Sequence, residues 1–149
     1  MIIAETRNID EIKSVLCDPW VYDRITGDNA PDASDWTPPL EGEHYLKCVA
    51  SHAIVGVSNC HPINEVCWEC HIQVLPDYRR YAHSFMDASI KWTWDNTPAK
   101  KLVVQIPSFY KDVIKFVQEH GFTIEGVNQK SHLKHGALWD QVYMGLQHG

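Results

Sequence analysis

The segment from Val66 to Met86 holds residues whose types and spacing could do chemistry. An alternating strand pattern leads through a proline turn to two arginines and then to the start of a helical pattern. A helix N-terminus binds anions because its backbone N–H groups are free and its dipole end is positive. Arg79 and Arg80 add positive charge there. The small residues Ala82 and Ser84 allow close approach to the backbone, so the segment predicts a site for a phosphate-bearing ligand. The alternative is a solvated arginine pair.

The same segment contains CWECH at residues 67–71, which matches the C-x-x-C-H pattern of c-type haem attachment. Such attachment occurs outside the cytoplasm, and strand alternation would place Cys67 and Cys70 on opposite faces. A zinc site is another alternative. Its ligands would come from Cys60, His61, Cys67, Cys70 and His71. The pair lies inside an apolar alternation rather than on a tight knuckle, so we expect no metal and we expect buried thiols.

Composition narrows the classes of partner. The 149 residues are 44% hydrophobic and 21% charged, which is typical of one globular domain. The formal net charge of −6 argues against nucleic acid as a partner. No apolar run is long enough for a membrane span, and the N-terminal residues lack the apolar region of a secretion signal. We therefore expect a cytoplasmic protein with no membrane partner.

Residue periodicity predicts the elements that position this chemistry. A capping-box pattern at Asn8 and Glu11 starts a helix that ends near Cys17, and a second short helix and a long loop follow over 20–42. Strands are predicted near 45–50, 53–60, 66–74, 102–106, 122–127 and 137–146, with helices at 82–95 and from Phe109 to Gly121 and a basic loop at 130–135. This order indicates an α/β fold whose mixed sheet has helices on both faces.

Three stretches resemble the GNAT acetyltransferase superfamily. RRYAHS at residues 79–84 resembles its Arg/Gln-x-x-Gly-x-Gly/Ala motif, which follows the fourth strand. FVQEHGF at 116–122 resembles the end of a family helix. ALWDQVYMGL at 137–146 resembles the last strand of the subgroup that acetylates protein N-termini, the ribosomal-protein alanine acetyltransferases. The similarity covers about residues 45–146.

The resemblance implies one GNAT-type α/β domain over residues 1–149. Its sheet would be mixed and mostly antiparallel, with six to seven strands, helices on both faces and a V-shaped split between two parallel strands. Residues 1–44 would form a helical and loop region on the acceptor side, and residues 45–146 would form the cofactor-binding core.

Acetyl-coenzyme A is the cofactor that the resemblance implies. The backbone of 72–74 would pair with its pantetheine arm, and amides from Arg80 to Ser84 would hold its pyrophosphate. The residues implied to bind it are Ile72, Gln73, Val74, Arg79, Arg80, Tyr81, Ala82, His83, Ser84 and Tyr110. The chain departs from the family pattern where Ala82 and Ser84 replace glycines. Tyr110 and Val117 also stand where an asparagine and a tyrosine are usual, so the usual proton donor to the departing thiolate is missing.

Glu69 is the first candidate for the base and His71 the second. Acetyl transfer to an amine requires a deprotonated amine, and a free lysine ammonium has a pKa near ~10.4. Both side chains lie on the polar side of the alternating strand, where they could instead face water or pair with basic neighbours. A backbone N–H within 72–74 would polarise the thioester carbonyl.

The implied function is transfer of an acetyl group from acetyl-coenzyme A to an amine by direct attack in a ternary complex. The acceptor could be a protein N-terminus, a lysine or a small amine. Acidic loop residues that would suit a cationic acceptor are Asp23, Asp28, Asp32 and Asp35. We also allow for a homodimer. The alternative is a catalytically inactive GNAT-fold binding or assembly protein, with or without bound coenzyme A.

Overall fold

A computed structural model describes residues 1–149 and shows seven strands and four α-helices. The strands are β1 (Ile2–Thr6), β2 (His44–Ala50), β3 (Ala53–Pro62), β4 (Cys67–Val74), β5 (Lys101–Pro107), β6 (Thr123–Lys134) and β7 (Ala137–Gln147). The helices are α1 (Ile9–Leu16), α2 (Pro19–Ile25), α3 (Ala82–Asn96) and α4 (Lys111–Glu119), and short 3-10 helices cover Ala33–Asp35 and Pro76–Tyr81. None of these helices combines the length and the hydropathy that crossing a bilayer requires.

The strands form one sheet in the order β1-β2-β3-β4-β5-β7-β6. Every neighbouring pair is antiparallel except β4 and β5, which run parallel. The predicted mixed and mostly antiparallel sheet is therefore confirmed, with seven strands.

Helices cover both faces of this sheet, as predicted. Tyr45 and Leu46 are consecutive in β2, so their side chains point to opposite faces. Tyr45 packs in a core with residues of α1 and α2, namely Ile12, Val15, Leu16 and Val21. Leu46 packs with Phe85 of α3 on the other face. Residues of α3 and α4 also meet there, where Met86 and Val117 share a core with Trp68, Leu102, Val104 and Met144.

The start of α1 forms half of the predicted capping box. The side chain of Asn8 accepts a hydrogen bond from the Glu11 N–H at 3.0 Å. The Glu11 carboxylate does not return to Asn8, because it accepts from Thr6 Oγ1 at 2.7 Å and from Lys47 Nζ at 2.6 Å. Gly121 ends α4 with a φ of +94°, so the predicted left-handed cap is confirmed.

The structure contains one strand that was not predicted and contradicts one local prediction. Residues 2–6 form strand β1, which the sequence analysis did not predict, and pair with β2 at one edge of the sheet. Residues 130–134 belong to β6, so the predicted basic loop is largely strand. Lys134 explains the contradicted prediction because its ammonium is buried and donates to the carbonyl oxygens of Asp23 and Thr26. A lysine held in this way favours an ordered strand over a solvated loop.

Gly56 in β3 generates a stability prediction. A Cβ at this position would lie 2.9 Å from Cε2 of the buried Phe85 and 3.1 Å from the carbonyl oxygen of Gln73. We expect Gly56→Ala to lower the free energy of unfolding by about 1–3 kcal/mol, because α3 or β4 must shift to relieve the overlap. Urea denaturation followed by circular dichroism measures this change.

Gly126 in β6 is the matched control, since a Cβ there would meet nothing within 4 Å. Gly126→Ala should leave stability unchanged or slightly raised, because alanine restricts the unfolded chain. Equal stabilities of the two variants would contradict the packing of α3 against β3.

Candidate functional site

The parallel strands β4 and β5 separate part-way along their length. They pair over only three positions, of which Glu69 with Val103 is the last. Beyond that point β4 continues to Val74 along β3, and β5 continues to Pro107 along β7. The facing edges of the two strands therefore carry backbone groups without a partner in the sheet. A V-shaped opening results.

A cavity of about 400 Å³ fills this opening. Apolar side chains dominate its walls, including Ile72, Val74, Met86, Ile90, Val104, Ile106 and Val113. Of the residues predicted to bind the cofactor, the cavity is lined by Ile72, Gln73, Val74, Arg79, Ala82 and Tyr110. The others, Arg80, Tyr81, His83 and Ser84, lie outside its lining.

The two arginines of the predicted phosphate site point in different directions. Arg79 lines the cavity, with its Nη2 atom 4.0 Å from Asp112 Oδ2. Arg80 donates to the carbonyl oxygen of Asp77 at 3.0 Å and lies over the rings of Tyr78 and Tyr81, so its charge is held away from the cavity. The first turn of α3 follows directly, and its N-terminal residue receives no side-chain cap.

Glu69 and His71 both line the cavity, at the apex of the opening. Glu69 Oε1 lies 3.6 Å from Nε2 of His71, and its Oε2 lies 3.1 Å from Nε2 of His61. Burial lowers the pKa of His71 and so does the neighbouring His61, whereas the Glu69 carboxylate acts in the opposite direction. The imidazole of His71 is therefore mostly neutral at neutral pH and able to accept a proton.

The cysteines of the C-x-x-C-H pattern are not arranged as a metal site. All five cysteines are free thiols. Burial raises the pKa of Cys60 to about 11, and burial also raises the pKa of Cys70, so both remain protonated. No group of three or more His, Cys, Asp or Glu side chains is placed to share a metal ion.

The cavity wall also contains residues that were not predicted from the sequence. Arg24 of α2 pairs with Asp112 of α4 at 3.0 Å, and its guanidinium lies 4.7 Å from the ring centroid of Trp20 and 4.5 Å from that of Tyr110. The spacing of Trp20 and Arg24 by one helical turn was a signal for this stack. Nothing in the sequence pointed to Asp112, which lies far along the chain.

Two of the four acidic residues predicted to attract a cationic acceptor, Asp23 and Asp28, make structural contacts instead. Asp28 accepts hydrogen bonds from the amides of Gly136 and His135 at 2.8 and 2.9 Å, which lowers its pKa. Asp23 accepts from Lys134 at 3.2 Å. These contacts fasten α2 and the loop after it to the β6–β7 hairpin. Neither Asp23 nor Asp28 lines the cavity.

Comparison with known proteins places this geometry in a structural class. The sequence matches no protein-family model and no curated protein. Solved structures do match. A ribosomal-protein-alanine N-acetyltransferase from Brucella melitensis has a TM-score of 0.80 at 16% identity, over 99% of this chain and 100% of that one. An acetyltransferase of the GNAT family from Streptococcus pneumoniae has a TM-score of 0.74 at 15% identity, over 99% and 100% of the two chains.

A spermidine N-acetyltransferase from Vibrio cholerae, solved in complex with CoA and spermine, has a TM-score of 0.79 at 13% identity over 97% of this chain and 95% of that one. This chain has the GNAT fold. The predicted fold class is confirmed, and the separation of β4 and β5 is the V-shaped split of the GNAT fold. At identities of 13% to 16% these similarities concern the fold alone.

The site generates a prediction for His71. Its imidazole should titrate with a midpoint below the ordinary histidine value, because burial disfavours the charged ring. Glu69→Gln should lower that midpoint further, because the lost carboxylate favours the charged ring. Proton–nitrogen NMR spectra of the imidazole rings measure both effects.

His52, exposed in the turn between β2 and β3, is the reference ring for this experiment. Its signals should not respond to Glu69→Gln. A His71 midpoint that rises in the variant would show that the two side chains do not interact as the structure has them.

Proposed function

We propose that the protein is an N-acetyltransferase that moves an acetyl group from acetyl-coenzyme A to an amine. The proposal rests mainly on the separation of β4 and β5 beyond Glu69 and Val103. Backbone N–H and C=O groups need hydrogen-bond partners when they are buried. An extended ligand with amide groups, such as the pantetheine arm, would supply partners in the manner of an added strand.

The residues around the cavity fit coenzyme A. Ile72, Gln73 and Val74 lie along the free edge of β4, beside the apolar walls. Ala82 has a φ of −59°, so an alanine is accommodated without strain where the family motif has glycine. Arg79 and Ala82, the first residue of α3, both line the cavity, so a pyrophosphate there would meet the guanidinium and the positive end of the helix dipole. The CoA in the Vibrio cholerae structure supports this assignment.

The chain's own residues would prepare the acceptor amine. Bound acetyl-coenzyme A would supply an activated thioester. Glu69, or His71 as the second candidate, would take the proton from the acceptor ammonium, which leaves a nitrogen lone pair free to attack. A backbone N–H within 72–74 would stabilise the negative charge on the carbonyl oxygen.

Tyr110 is our candidate proton donor to the departing sulfur. Val117, which stands where the family has a tyrosine, is buried in the apolar core and carries no proton to donate. Burial raises the pKa of Tyr110, so its hydroxyl stays protonated at neutral pH. Ser58 and Ser89 also line the cavity, but they share a hydrogen bond of 2.9 Å. Tyr110 therefore combines a place in the cavity wall with an uncommitted hydroxyl.

The proposal names a class of acceptor, the amines, and not a single compound. The named substrates of the neighbours are a ribosomal-protein alanine and spermidine, so a protein N-terminus, a lysine or a small amine all remain within the proposal. The replacement of the usual tyrosine by the buried Val117 favours the second candidate, a GNAT-fold binding protein without turnover. Measurement of coenzyme A binding together with thiol release distinguishes the acetyltransferase from the binding protein.

Thermal unfolding with coenzyme A and with acetyl-coenzyme A tests binding, and release of free thiol over a panel of amines tests turnover. Stabilisation with thiol release supports the acetyltransferase. Stabilisation without thiol release from any amine supports the binding protein. The absence of stabilisation would contradict both.

Substitution of Arg79 and substitution of Arg80 should affect coenzyme A affinity differently. Arg79→Ala should weaken coenzyme A binding by about tenfold or more, because a charge-assisted hydrogen bond contributes about 1.5–3 kcal/mol. Arg80→Ala is the matched control and should have a smaller effect, since that guanidinium lies outside the cavity on Asp77 and two tyrosine rings. Isothermal titration calorimetry measures both affinities. A larger loss for Arg80→Ala would place the phosphate site elsewhere.

Tyr110→Phe should lower kcat by about 100-fold while the ring contact with Arg24 is kept, because loss of a general acid costs about that factor or more. Affinity for coenzyme A should change little. Tyr78→Phe, whose ring carries Arg80 outside the cavity, is the control. Steady-state kinetics give the values, and an unchanged kcat for Tyr110→Phe would remove this residue from the chemistry.

A further inference from the structure

Two residues behind the cavity wall extend the Glu69–His71 pair into the protein. His61 Nε2 lies 3.1 Å from Glu69 Oε2, and its Nδ1 lies 3.1 Å from Glu43 Oε1. Asn59 donates to the other Glu43 oxygen at 3.1 Å. Carboxylate and imidazole therefore alternate along a chain of four side chains, which we call the Glu43–His71 chain: Glu43, His61, Glu69 and His71. Only the last two line the cavity.

The register of β3 and β4 fixes this arrangement. His61 is directly opposite Glu69, and Asn59 is directly opposite His71. Residues two apart along a strand share a face, so the side chains of these two pairs lie on the same side of the ladder. The rings of His61 and His71 stack at 24°, with 6.5 Å between their centroids. A backbone ladder thus sets the spacing of the chain.

His61 is held between two carboxylates. Its Nδ1 is a buried nitrogen that makes no hydrogen bond, although the Glu43 carboxylate is near. A carboxylate oxygen can only accept a hydrogen bond, so each contact is attractive only when a proton lies between nitrogen and oxygen. A ring protonated in this way would attract Oε2 of Glu69, which lies 3.1 Å away, and Oε1 would remain on the side of His71. The inner carboxylate, Glu43, is the less exposed of the two, with 13% of its side chain accessible against 24% for Glu69.

We propose that His61 and Glu43 are positioning residues that hold Glu69 so that its Oε1 atom takes the proton of the acceptor amine. The inference rests on the proposed acetyltransferase function. In the step concerned, the N–H bond of the acceptor ammonium breaks and its electron pair stays on nitrogen. The proton goes to the Glu69 carboxylate, which becomes a neutral carboxylic acid, and no electrons are exchanged. His61 keeps its contact with Oε2 throughout.

Several charged groups lie near the Glu43–His71 chain and influence its protonation. His71 is influenced by Glu69, His61 and Glu43. The other arginine, histidine and aspartate side chains that line the same cavity are Arg24, His44, Arg79, Asp112 and His132. Of these, Asp112 is paired with Arg24 on the opposite side of the cavity, between α2 and α4. The variants below leave all five of these side chains unchanged.

Three variants test the proposal: His61→Ala, His61→Gln and Glu43→Gln. His61→Ala should lower kcat by about tenfold to 100-fold, as the loss of an orienting partner does elsewhere, with little change in the KM for acetyl-coenzyme A. The acid limb of its pH–rate profile should move to higher pH, because two carboxylates then face each other without the ring between them. His61→Gln should recover part of kcat, because its amide nitrogen can still donate to Glu69. His52→Asn is the control for loss of an exposed imidazole.

The NMR titration of His71 gives a readout that does not need activity. Glu43→Gln should lower the His71 midpoint and His61→Gln should raise it, because the carboxylate favours the charged ring and the imidazole opposes it. Opposite shifts of the His71 midpoint in the two variants support the Glu43–His71 chain. Shifts that are absent or in one direction overturn it, whether or not the protein is active.

These outcomes separate the inference from the proposed function. Opposite shifts in a protein that releases no thiol with any amine would support the chain and contradict the acetyltransferase. Full activity and an unchanged pH profile in both His61→Ala and Glu43→Gln would overturn the positioning role while leaving the acetyltransferase intact. If His61→Ala lowers the thermal midpoint strongly, the comparison of His61→Gln with Glu43→Gln decides the question.

Discussion

The short parallel ladder between β4 and β5 is the contact on which the rest of the site depends. Three residue pairs join the two halves of the sheet, and the last pair is Glu69 with Val103. Each strand then follows its antiparallel partner, β3 on one side and β7 on the other. A longer ladder would close the opening and satisfy the strand edges within the protein. A shorter one would leave little to hold the two halves in register. The position at which the ladder ends therefore determines where the cavity lies and towards which strand ends it opens.

Side chains alternate between the two faces of β4, so the two faces carry different kinds of residue. Trp68 packs in the core beneath α3, whereas Glu69 and His71 point to the other face. The strand that offers a free backbone edge to an extended ligand therefore also carries the ionisable side chains. Gly56 supports the arrangement from behind, because only a residue without Cβ lets Phe85 pack this closely against β3. One eight-residue strand would thus combine the backbone binding and the proton transfer that we propose.

The sequence was sufficient for features that depend on local pattern. Period-two alternation predicted β4, and the proline turn and following apolar spacing predicted α3, so the strand–turn–helix unit of the site was in place. Contacts between distant segments were not predictable. His61 and Glu69 meet through strand register, and Arg24 meets Asp112 through the packing of α2 beside α4. Neither pair leaves a trace in spacing along the chain. The strand character of 130–134 was hidden for the same reason, since Asp23 and Thr26 hold Lys134 from more than a hundred residues away.

Asp112 interacts with both arginines of the cavity wall, but more closely with Arg24 than with Arg79. It lies 3.0 Å from the guanidinium of Arg24 and 4.0 Å from that of Arg79. Arg24 is also stacked on the rings of Trp20 and Tyr110, at 4.7 and 4.5 Å, and these contacts fix its position. Arg79 has one longer ring contact, 5.5 Å from the Trp20 centroid. Arg79 is 63% exposed, and a solvent-screened pair at such a distance contributes little. A phosphate would therefore draw Arg79 away from Asp112 at small cost, whereas Arg24 would stay in the wall. In the proposed complex, Asp112 would thus leave Arg79 available to an anionic ligand and keep Arg24 as part of the scaffold.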